Sequence, residues 1–585
     1  MRALALLLIV LAAAAPPRLR AESASATLQA LADAEWQYRL QENPLLATSA
    51  GDHRYDDRLP SMTKADLARR AAHDRETLEK VRALDRAALT PSEKASAEIL
   101  ARELSDAVAA YDFGAYRIPL TSDSGFHTDF ADLPDRMTFS SVRDYDNYVA
   151  RLKAFPQYVA EEIALMREGI AAGFTLPGVV LEGYEVTMTT HVVTAPEKSV
   201  FFAPFRQYPA GVPEADRARL TAAGRRAVLD GAVAGYRALA DFMRTEYVPR
   251  ARTTIAASAL PKGKDYYAQL VRSFTTLDVS AAQVHEIGRQ EVLRIRAEMD
   301  AVIAKTGFMG NFEAFLNFLR TDPKFYAKTG EDLLKDASYI AKRMDGKLPS
   351  LFGKLPRLPY GVEPVPAHLA PKYTGGRYIP APIGGTQAGE YWVNTYALDK
   401  RPLYVLEALT LHEAVPGHHL QIALQQELTG LPEFRRFSEV GAFVEGWALY
   451  AERLGLEAGF YRDPYSDFGR LTYEMWRACR LVVDTGIHAE GWTRAEAIEY
   501  LETHTALSTH EVATEIDRYI SWPGQALCYK MGELKIRELR RQAEETLGPK
   551  FDVRSFHDAV LGQGAVPLSV LEEQVRAWVA ARQAA

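Results

Sequence analysis

Residues 411–421 constrain this chain more than any other segment. They place three histidines and a glutamate beside an apolar run, and Pro416 and Gly417 interrupt them. Proline lacks the N–H that would bond to the carbonyl four residues earlier, so a regular helix cannot continue through this segment. Imidazoles and carboxylates are costly to bury unless each finds a partner. The segment therefore predicts a distorted helix that carries a ligand-binding site.

The spacing of these histidines departs from that of ordinary zinc peptidases. A zinc-peptidase helix normally carries His-Glu-x-x-His, because side chains four apart share a face and can bind one zinc, with the glutamate as general base. Here His412 and Glu413 are followed by Pro416 where the second histidine should stand, and then by His418 and His419. In a straight helix an offset of six turns the side chain roughly 120° away, and an offset of seven adds about 10 Å of rise. A bulge that absorbs two residues would correct the offset of six, which favours His412 and His418 as ligands. His419 stays open as an alternative ligand or as a donor that orients one.

A second segment supplies the carboxylate that such a site needs. Residues 443–452 read as a helix with several small residues, and Glu445 and Glu452 lie two turns apart on it. A glutamate brought to a His-Glu helix gives the three protein ligands of a catalytic zinc site, whose fourth position is open to water.

Several motifs between residues 389 and 532 resemble, in order, the bacterial domain-of-unknown-function 885 family, which is regarded as a group of zinc peptidases; the motifs are 393–395, 411–421, 445–452, 484–488 and 523–527. Residues 445–450, Glu-Gly-Trp-Ala-Leu-Tyr, also resemble the segment that carries the third ligand in zinc aminopeptidases of the gluzincin group. The resemblance implies that Glu445 is the third zinc ligand and that Glu452 is structural. It implies no substrate.

A hydrolase also needs a donor that stabilises the developing oxyanion. Tyr529 is the first candidate for this catalytic role, followed by His488; Arg518 and Tyr519 are further candidates at the substrate.

Two other polar residues have equally open roles. Asp484 could orient a zinc-bound imidazole, as carboxylates commonly do, or form an ion pair on a helix surface. Asn394 could bind the main chain of the substrate or cap the end of a strand.

The rest of the chain predicts a mostly α fold. Apolar residues recur at helical spacing, and strand character is confined mainly to residues 356–395. We expect a large helical metallopeptidase-like fold with a deep cleft and a small β element before the metal-binding helix. An edge strand there could pair with an extended substrate. Residues 23–280 are assigned to an N-terminal helical lobe and 281–585 to a catalytic lobe, which begins at a helix capped by Ser280 and Gln283.

The N-terminus predicts export. Residues 3–15 form a short apolar stretch that ends in small residues before two prolines, so residues 1–22 are interpreted as a signal peptide cleaved near Ala21. The protein is expected in the periplasm or outside the cell. It should have no stable membrane association after cleavage, because no cysteine follows for a lipid anchor and no later apolar run could span a bilayer. The net charge of -7 gives no reason to expect nucleic-acid binding.

These observations predict a zinc metallopeptidase in which Glu413 deprotonates a zinc-bound water and the substrate is a peptide or a small acyl compound. The alternatives are an exported helical binding or scaffold protein with a structural or vestigial metal site, and a hydrolase of a non-peptide acyl bond. Serine chemistry is a further alternative, because Ser61 and Lys64 match Ser-x-x-Lys, but its companion motifs are missing. The oligomeric state is not determined by the sequence.

Overall fold

The computed structural model describes residues 17–367, 369–381, 383 and 387–584, and in them it shows a mostly helical protein with one small sheet. The predicted fold class is confirmed. The metallopeptidase likeness stays a prediction, and so does the division at residue 280. Residues 1–16 of the predicted signal peptide lie outside the described residues.

The helices before the sheet are α1 (Pro17–Glu42), α2 (Pro44–Ser49), α3 (Lys64–Arg82), α4 (Pro91–Phe113), α5 (Phe126–Ala131), α6 (Leu133–Arg136), α7 (Val142–Ala172), α8 (Val186–Thr189), α9 (Glu214–Ala227), α10 (Ala234–Phe242), α11 (Gly263–Thr275), α12 (Ala281–Thr306), α13 (Phe312–Thr321), α14 (Gly330–Asp345) and α15 (Leu348–Leu351). The helices after the sheet are α16 (Leu406–Glu413), α17 (His418–Gln426), α18 (Gly441–Glu457), α19 (Pro464–Thr485), α20 (Arg494–His504), α21 (Thr509–Ser521), α22 (Cys528–Leu547), α23 (Val553–Leu561) and α24 (Leu568–Ala584). Among these helices, none is both long and apolar enough to cross a bilayer.

The sheet lies in the region where the sequence predicts strands. Its strands are β1 (Tyr360–Pro364), β2 (Gly376–Ile379) and β3 (Gly389–Val393). β3 is central, with β1 parallel on one side and β2 antiparallel on the other, so β2 is an edge strand. Tyr391 of β3 lies with its hydroxyl 3.3 Å from the Thr410 hydroxyl of α16, which joins the sheet to the helix that carries His412.

Close helix packing positions the segments around that helix. α18 and α22 approach so closely that a Cβ at Gly446 would lie 2.5 Å from the Cα of Gly532, and a Cβ at Gly532 would clash with the Ala442 carbonyl. Gly441 lies beside Cys528, and further along both helices Gly446 lies beside Gly532. The two helices therefore run parallel. As a result, the start of α22 lies beside Glu445 of α18.

The start of α12 confirms a local prediction. The Ser280 side chain accepts a bond from the Gln283 N–H and the Gln283 side chain accepts one from the Ser280 N–H, which is the expected capping box. α12 packs along α19, and both helices supply carboxylates to the buried ammonium of Lys530 on α22. One polar cluster thus joins three of the long helices.

Candidate metal centre

The segment with Pro416 and Gly417 separates two helices. α16 ends at Glu413 and α17 begins at His418, whereas we expected a bulge within one continuous helix. The break arises because Pro416 has no N–H. Gly417 lets the chain pass close to the carbonyl oxygen of His412, where a Cβ would clash. The indole N–H of Trp447 donates to the Pro416 carbonyl at 2.8 Å, which fixes the break against α18.

The break brings His412 and His418 to one point with Glu445. The Nε2 atoms of His412 and His418 lie 3.5 and 3.4 Å from Glu445 Oε2. The ligand atoms of these three residues all lie within 4.8 Å of one another. Bonds of about 2.0–2.2 Å at tetrahedral angles separate two zinc ligands by roughly 3.3–3.5 Å. The structure therefore brings together the three predicted ligands, and it holds both imidazoles at the distance from Glu445 that one zinc ion requires.

His412, His418 and Glu445 form a trio, and the polar atoms of this trio also fit a cation. Glu445 Oε2 is buried and has no hydrogen-bond partner among the described residues, so the carboxylate that faces both imidazoles is unsatisfied. Burial lowers the pKa of His412, but Glu445 and Glu452 outweigh it and raise that pKa to about 9. Burial likewise opposes ionisation of Glu445, yet His418 and His412 hold its pKa well below its usual value. Each carboxylate thus favours a positive charge at this point.

Glu452 orients His412, which the sequence analysis did not predict. Its Oε1 lies 2.8 Å from His412 Nδ1, so this ring nitrogen donates to the carboxylate and Nε2 is directed at Glu445. Carboxylates behind metal-bound imidazoles fix the ring and increase its basicity. The seven-residue spacing from Glu445 places both glutamates on one face of α18, and this signal is present in the sequence.

Glu413 is held by the backbone of the edge strand. The N–H of Tyr378 on β2 donates to Glu413 Oε2 at 2.9 Å, and Glu413 is almost fully buried. One carboxylate oxygen is thereby fixed, and the side chain directly follows the ligand His412 in sequence. This arrangement suits a base that acts on a water beside the three ligands.

His419 points to a different neighbour. Its Nδ1 lies 2.9 Å from the Tyr378 hydroxyl, and its ring packs 4.5 Å from the ring of Tyr360. Burial lowers the pKa of His419 to about 4, so the ring is neutral. His419 is therefore outside the trio and supports β2.

Tyr529 comes to the site through the contact between α18 and α22. It lies one turn before Gly532 and next to Glu445, whose charge adds to burial in raising the pKa of Tyr529. The Tyr529 hydroxyl accepts a long bond of 3.4 Å from Gln525, and Gln525 in turn accepts one of 3.2 Å from Arg518. The hydroxyl hydrogen of Tyr529 is thus free to donate to a ligand.

Three other predicted residues are engaged elsewhere. His488 Nδ1 accepts from the Ala257 N–H at 2.9 Å and its Nε2 lies 3.0 Å from the Tyr519 carbonyl, so neither nitrogen is free for catalysis.

The Tyr519 hydroxyl accepts from Trp476 and Arg480 in the core. The Asp484 carboxylate accepts from the Tyr267 hydroxyl and the Gly524 N–H. The catalytic role of His488 and the imidazole-orienting role of Asp484 are therefore not supported.

Asn394 also has a structural environment. Its amide donates to the carbonyls of Ala370, Tyr373 and Thr374 at 2.9–3.0 Å, and its oxygen accepts from the Tyr396 N–H. Every polar group of this fully buried side chain is used, which favours the strand-capping alternative over substrate binding.

The Ser-x-x-Lys match does not form a catalytic pair. The Ser61 hydroxyl donates to Asp66 at 2.6 Å, and the Lys64 ammonium, which is largely exposed, binds Glu168 at 3.1 Å. Thr63 between them caps α3. The segment is therefore a helix start.

Comparisons with known proteins agree on the fold and leave the activity open. A family model described as a bacterial protein of unknown function, DUF885, matches residues 44–575. The structure of a putative lipoprotein from Colwellia psychrerythraea is similar, with 27% identity and a TM-score of 0.89 over 96% of this chain and 100% of that chain. A putative lipoprotein of unknown function from Shewanella oneidensis has 19% identity and a TM-score of 0.67 over 96% of this chain and 99% of that one, which shows a shared fold. No curated protein sequence matches this chain.

Proposed function

The chain belongs to the bacterial DUF885 family, and we propose that it is a zinc-dependent hydrolase that cleaves peptide bonds. The observation that carries the proposal is the convergence of His412 Nε2 and His418 Nε2 on an unsatisfied Glu445 oxygen, with Glu413 adjacent. Three protein ligands without cysteine are typical of catalytic zinc, whereas structural zinc is enclosed by four.

Each residue around the trio would have a separate role in such a reaction. Bound zinc lowers the pKa of a coordinated water and polarises a carbonyl. Glu413 takes the proton of the attacking water and returns it to the leaving amine. The Tyr378 N–H fixes its Oε2, so the other carboxylate oxygen is the one that faces the water. Tyr529 donates its hydroxyl hydrogen to the developing oxyanion beside Glu445. Glu452 keeps the ring of His412 in place throughout.

We also infer that the protein is exported and acts in the periplasm or outside the cell. The apolar N-terminal stretch of the sequence supports this, as does the similar structure from Colwellia psychrerythraea, which is described as a putative lipoprotein. A fusion of residues 1–22 to a reporter that is active only after export would test it.

The enzymatic proposal is tested with the purified protein and a peptide mixture analysed by mass spectrometry. We expect about one zinc per chain, cleavage that stops with a chelator and returns with zinc, and a loss of about 10²–10⁴-fold in rate for Glu413→Gln. The variant should keep its zinc, because Glu413 is not a ligand. Zinc-loaded protein that cleaves no peptide, or a Glu413→Gln variant with full activity, would contradict the proposal.

A further inference from the structure

We propose that Arg377 and Arg518 form a subsite that binds a carboxylate group of the substrate, either its C-terminus or an acidic side chain. This inference rests on the proposed hydrolase function, because it names a chemical group that the substrate carries beside the scissile bond. It assigns a role to two cations at the candidate site that the mechanism does not use.

Arg377 is placed at the site by strand β2. It directly precedes Tyr378, whose N–H holds Glu413, so the backbone at Arg377 lies beside the proposed base. The Arg377 side chain is solvent-exposed and lies with its guanidinium 5.4 Å from the ring centre of Tyr373. Among the described residues, no carboxylate lies within ion-pair distance of it. The strand thus presents a guanidinium without a carboxylate partner next to Glu413.

Arg518 lies near the end of α21. Its Nη2 donates to Gln525, which contacts the Tyr529 hydroxyl, so Arg518 is two hydrogen bonds from the proposed oxyanion donor. Its only carboxylate contact within the described part of the chain is a long one of 3.6 Å to Glu515. Arg518 is therefore only weakly neutralised.

Two neighbouring arginines differ because both are enclosed in the core. Arg480 binds Glu515 at 2.6 Å and the Tyr519 hydroxyl at 2.8 Å, and it is fully buried. Arg477 is buried, and its guanidinium lies 4.1 and 4.6 Å from the ring centres of Trp476 and Tyr473. These two side chains are structural, and the contrast isolates Arg377 and Arg518 as cations that can receive a ligand.

The two guanidinium groups are close enough to affect each other. Burial and the positive charge of Arg518 lower the pKa of Arg377, but Tyr373 and Glu413 outweigh them and raise that pKa. Burial and Glu445 raise the pKa of Glu439, while His418 and Arg377 lower it. Arg377 and Glu439 are both solvent-exposed and yet affected by burial, as is expected for side chains that line a cleft. Two cations at one cleft attract an anionic group of a ligand.

The geometry of a guanidinium favours a carboxylate as that anion. Its planar fork donates two parallel hydrogen bonds to the two oxygens of one carboxylate, and such charge-assisted bonds are shorter and stronger than bonds between neutral groups. A peptide offers this group at its C-terminus and on Asp and Glu side chains. Either would bring the neighbouring amide bond towards Glu413 and Tyr529.

The test compares peptides that differ only in this charge. One set of N-acetylated peptides of mixed sequence is prepared as free acids and as C-terminal amides, and a second set of amides carries Glu or Gln near the cut. Zinc-loaded wild-type protein should cleave one charged form with a kcat/KM about 10–100-fold higher than its neutral match. Arg377→Gln and Arg518→Gln should reduce that ratio towards one, mainly through KM. Arg377→Lys, which keeps the charge but loses the fork, should give an intermediate ratio.

Arg541→Gln is the matched control, because Arg541 is an exposed arginine that pairs with Glu545 and lies more than three turns beyond Tyr529 on α22. It should keep the wild-type ratio. A preference for the free acid assigns the subsite to the C-terminus, and a preference for Glu assigns it to a side chain. Equal cleavage of charged and neutral peptides by the wild type, or a preference that both glutamine variants retain, would overturn the proposal.

A binding measurement separates this inference from the proposed function. If zinc-loaded protein cleaves neither form, the hydrolase proposal fails, and calorimetric titration with the same free-acid, Glu, Gln and amide peptides then decides the subsite. Tighter binding of a charged form that is lost in Arg377→Gln supports a carboxylate subsite. Equal affinity for all forms overturns it.

Discussion

At the scale of single residues, the two adjacent histidines of α17 have opposite roles. His418 Nε2 faces Glu445, whereas His419 contacts the Tyr378 hydroxyl on β2. Successive helical residues are separated by about 100°, so only one of the two can join the trio.

Substitution of these histidines gives the first prediction. His418→Asn should abolish stoichiometric zinc binding, because it removes a ligand. His419→Asn should keep one zinc per chain and lose only the contact with Tyr378. Metal analysis after gel filtration measures both, and zinc loss in His419→Asn with retention in His418→Asn would reverse the assignment.

Glu452 gives the second prediction. Glu452→Gln removes the charge behind His412 and should weaken zinc binding about 10–100-fold while leaving the metal stoichiometry at saturation unchanged. Competition with a fluorescent chelator measures the affinity. Glu545→Gln, at an exposed position on α22, is the control and should bind zinc as the wild type does. An unchanged affinity in Glu452→Gln would show that its contact with His412 is only structural.

At the scale of elements, the contact between α18 and α22 fixes the distance between Glu445 and Tyr529. Gly446 and Gly532 allow the two backbones to touch, and no side chain could replace either hydrogen without moving a helix. The helix that supplies the third ligand and the helix that supplies the oxyanion donor are thus set by two glycines.

Gly532→Ala tests this contact. Its methyl group would clash with the Ala442 carbonyl, so the free energy of unfolding should fall by about 1–3 kcal/mol and zinc affinity should fall with it. Gly430→Ala is the control, since nothing lies within 4 Å of a Cβ there. Thermal unfolding with and without zinc measures both effects. A Gly532→Ala protein as stable as Gly430→Ala would show that the helices have room to separate.

Features that depend on one segment could be predicted from the sequence, whereas contacts between helices could not. Local signals gave correct predictions: the capping box at Ser280 starts α12, and Pro416 interrupts the helix of His412. The roles of Asp484 and Glu452 depend on which neighbour each helix face meets. α19 directs Asp484 at Tyr267, and no pattern within α19 specifies that partner. The seven-residue spacing places Glu452 on the face of Glu445, but it does not specify the contact with His412 Nδ1.

At the scale of the whole molecule, one buried ammonium joins distant parts of the chain. Lys530 is fully buried and lies 2.9–3.0 Å from Glu474, Glu291 and Glu533, which belong to α19, α12 and α22. Burial lowers the pKa of Lys530, but these carboxylates outweigh it and raise that pKa.

Lys530→Met should therefore reduce the free energy of unfolding by about 3 kcal/mol, the lower end of the range for a broken buried ion pair. Three carboxylates would lose their shared ammonium and keep only their guanidinium partners, which are Arg294, Arg470 and Arg537. Lys535→Met on the same helix, where the lysine is partly buried near the surface, should cost far less. Urea denaturation measures both. Equal stability of the two variants would contradict the structural role of Lys530.

The pH dependence of stability gives the last prediction. Burial, followed by the charge of Glu161, raises the pKa of Glu162 to about 8, and its Oε2 has no partner among the described residues. The folded state therefore holds a proton that the unfolded chain releases near pH 4.5, and this contribution to stability is lost as the pH rises from about 4.5 to 8. Glu162→Gln should lose less stability than the wild type between pH 5 and pH 8. Parallel melting curves that shift equally for both proteins would exclude Glu162 as the cause.

The hydrogen bond from Tyr378 to Glu413 comes from the main chain, and this has a consequence for tolerance to change. Any amino acid at position 378 except proline supplies the same N–H, so drift at that position can alter the phenol and its contact with His419 without releasing the carboxylate. The orientation of Glu413 is thereby set by the path of the backbone and not by the side chain at position 378.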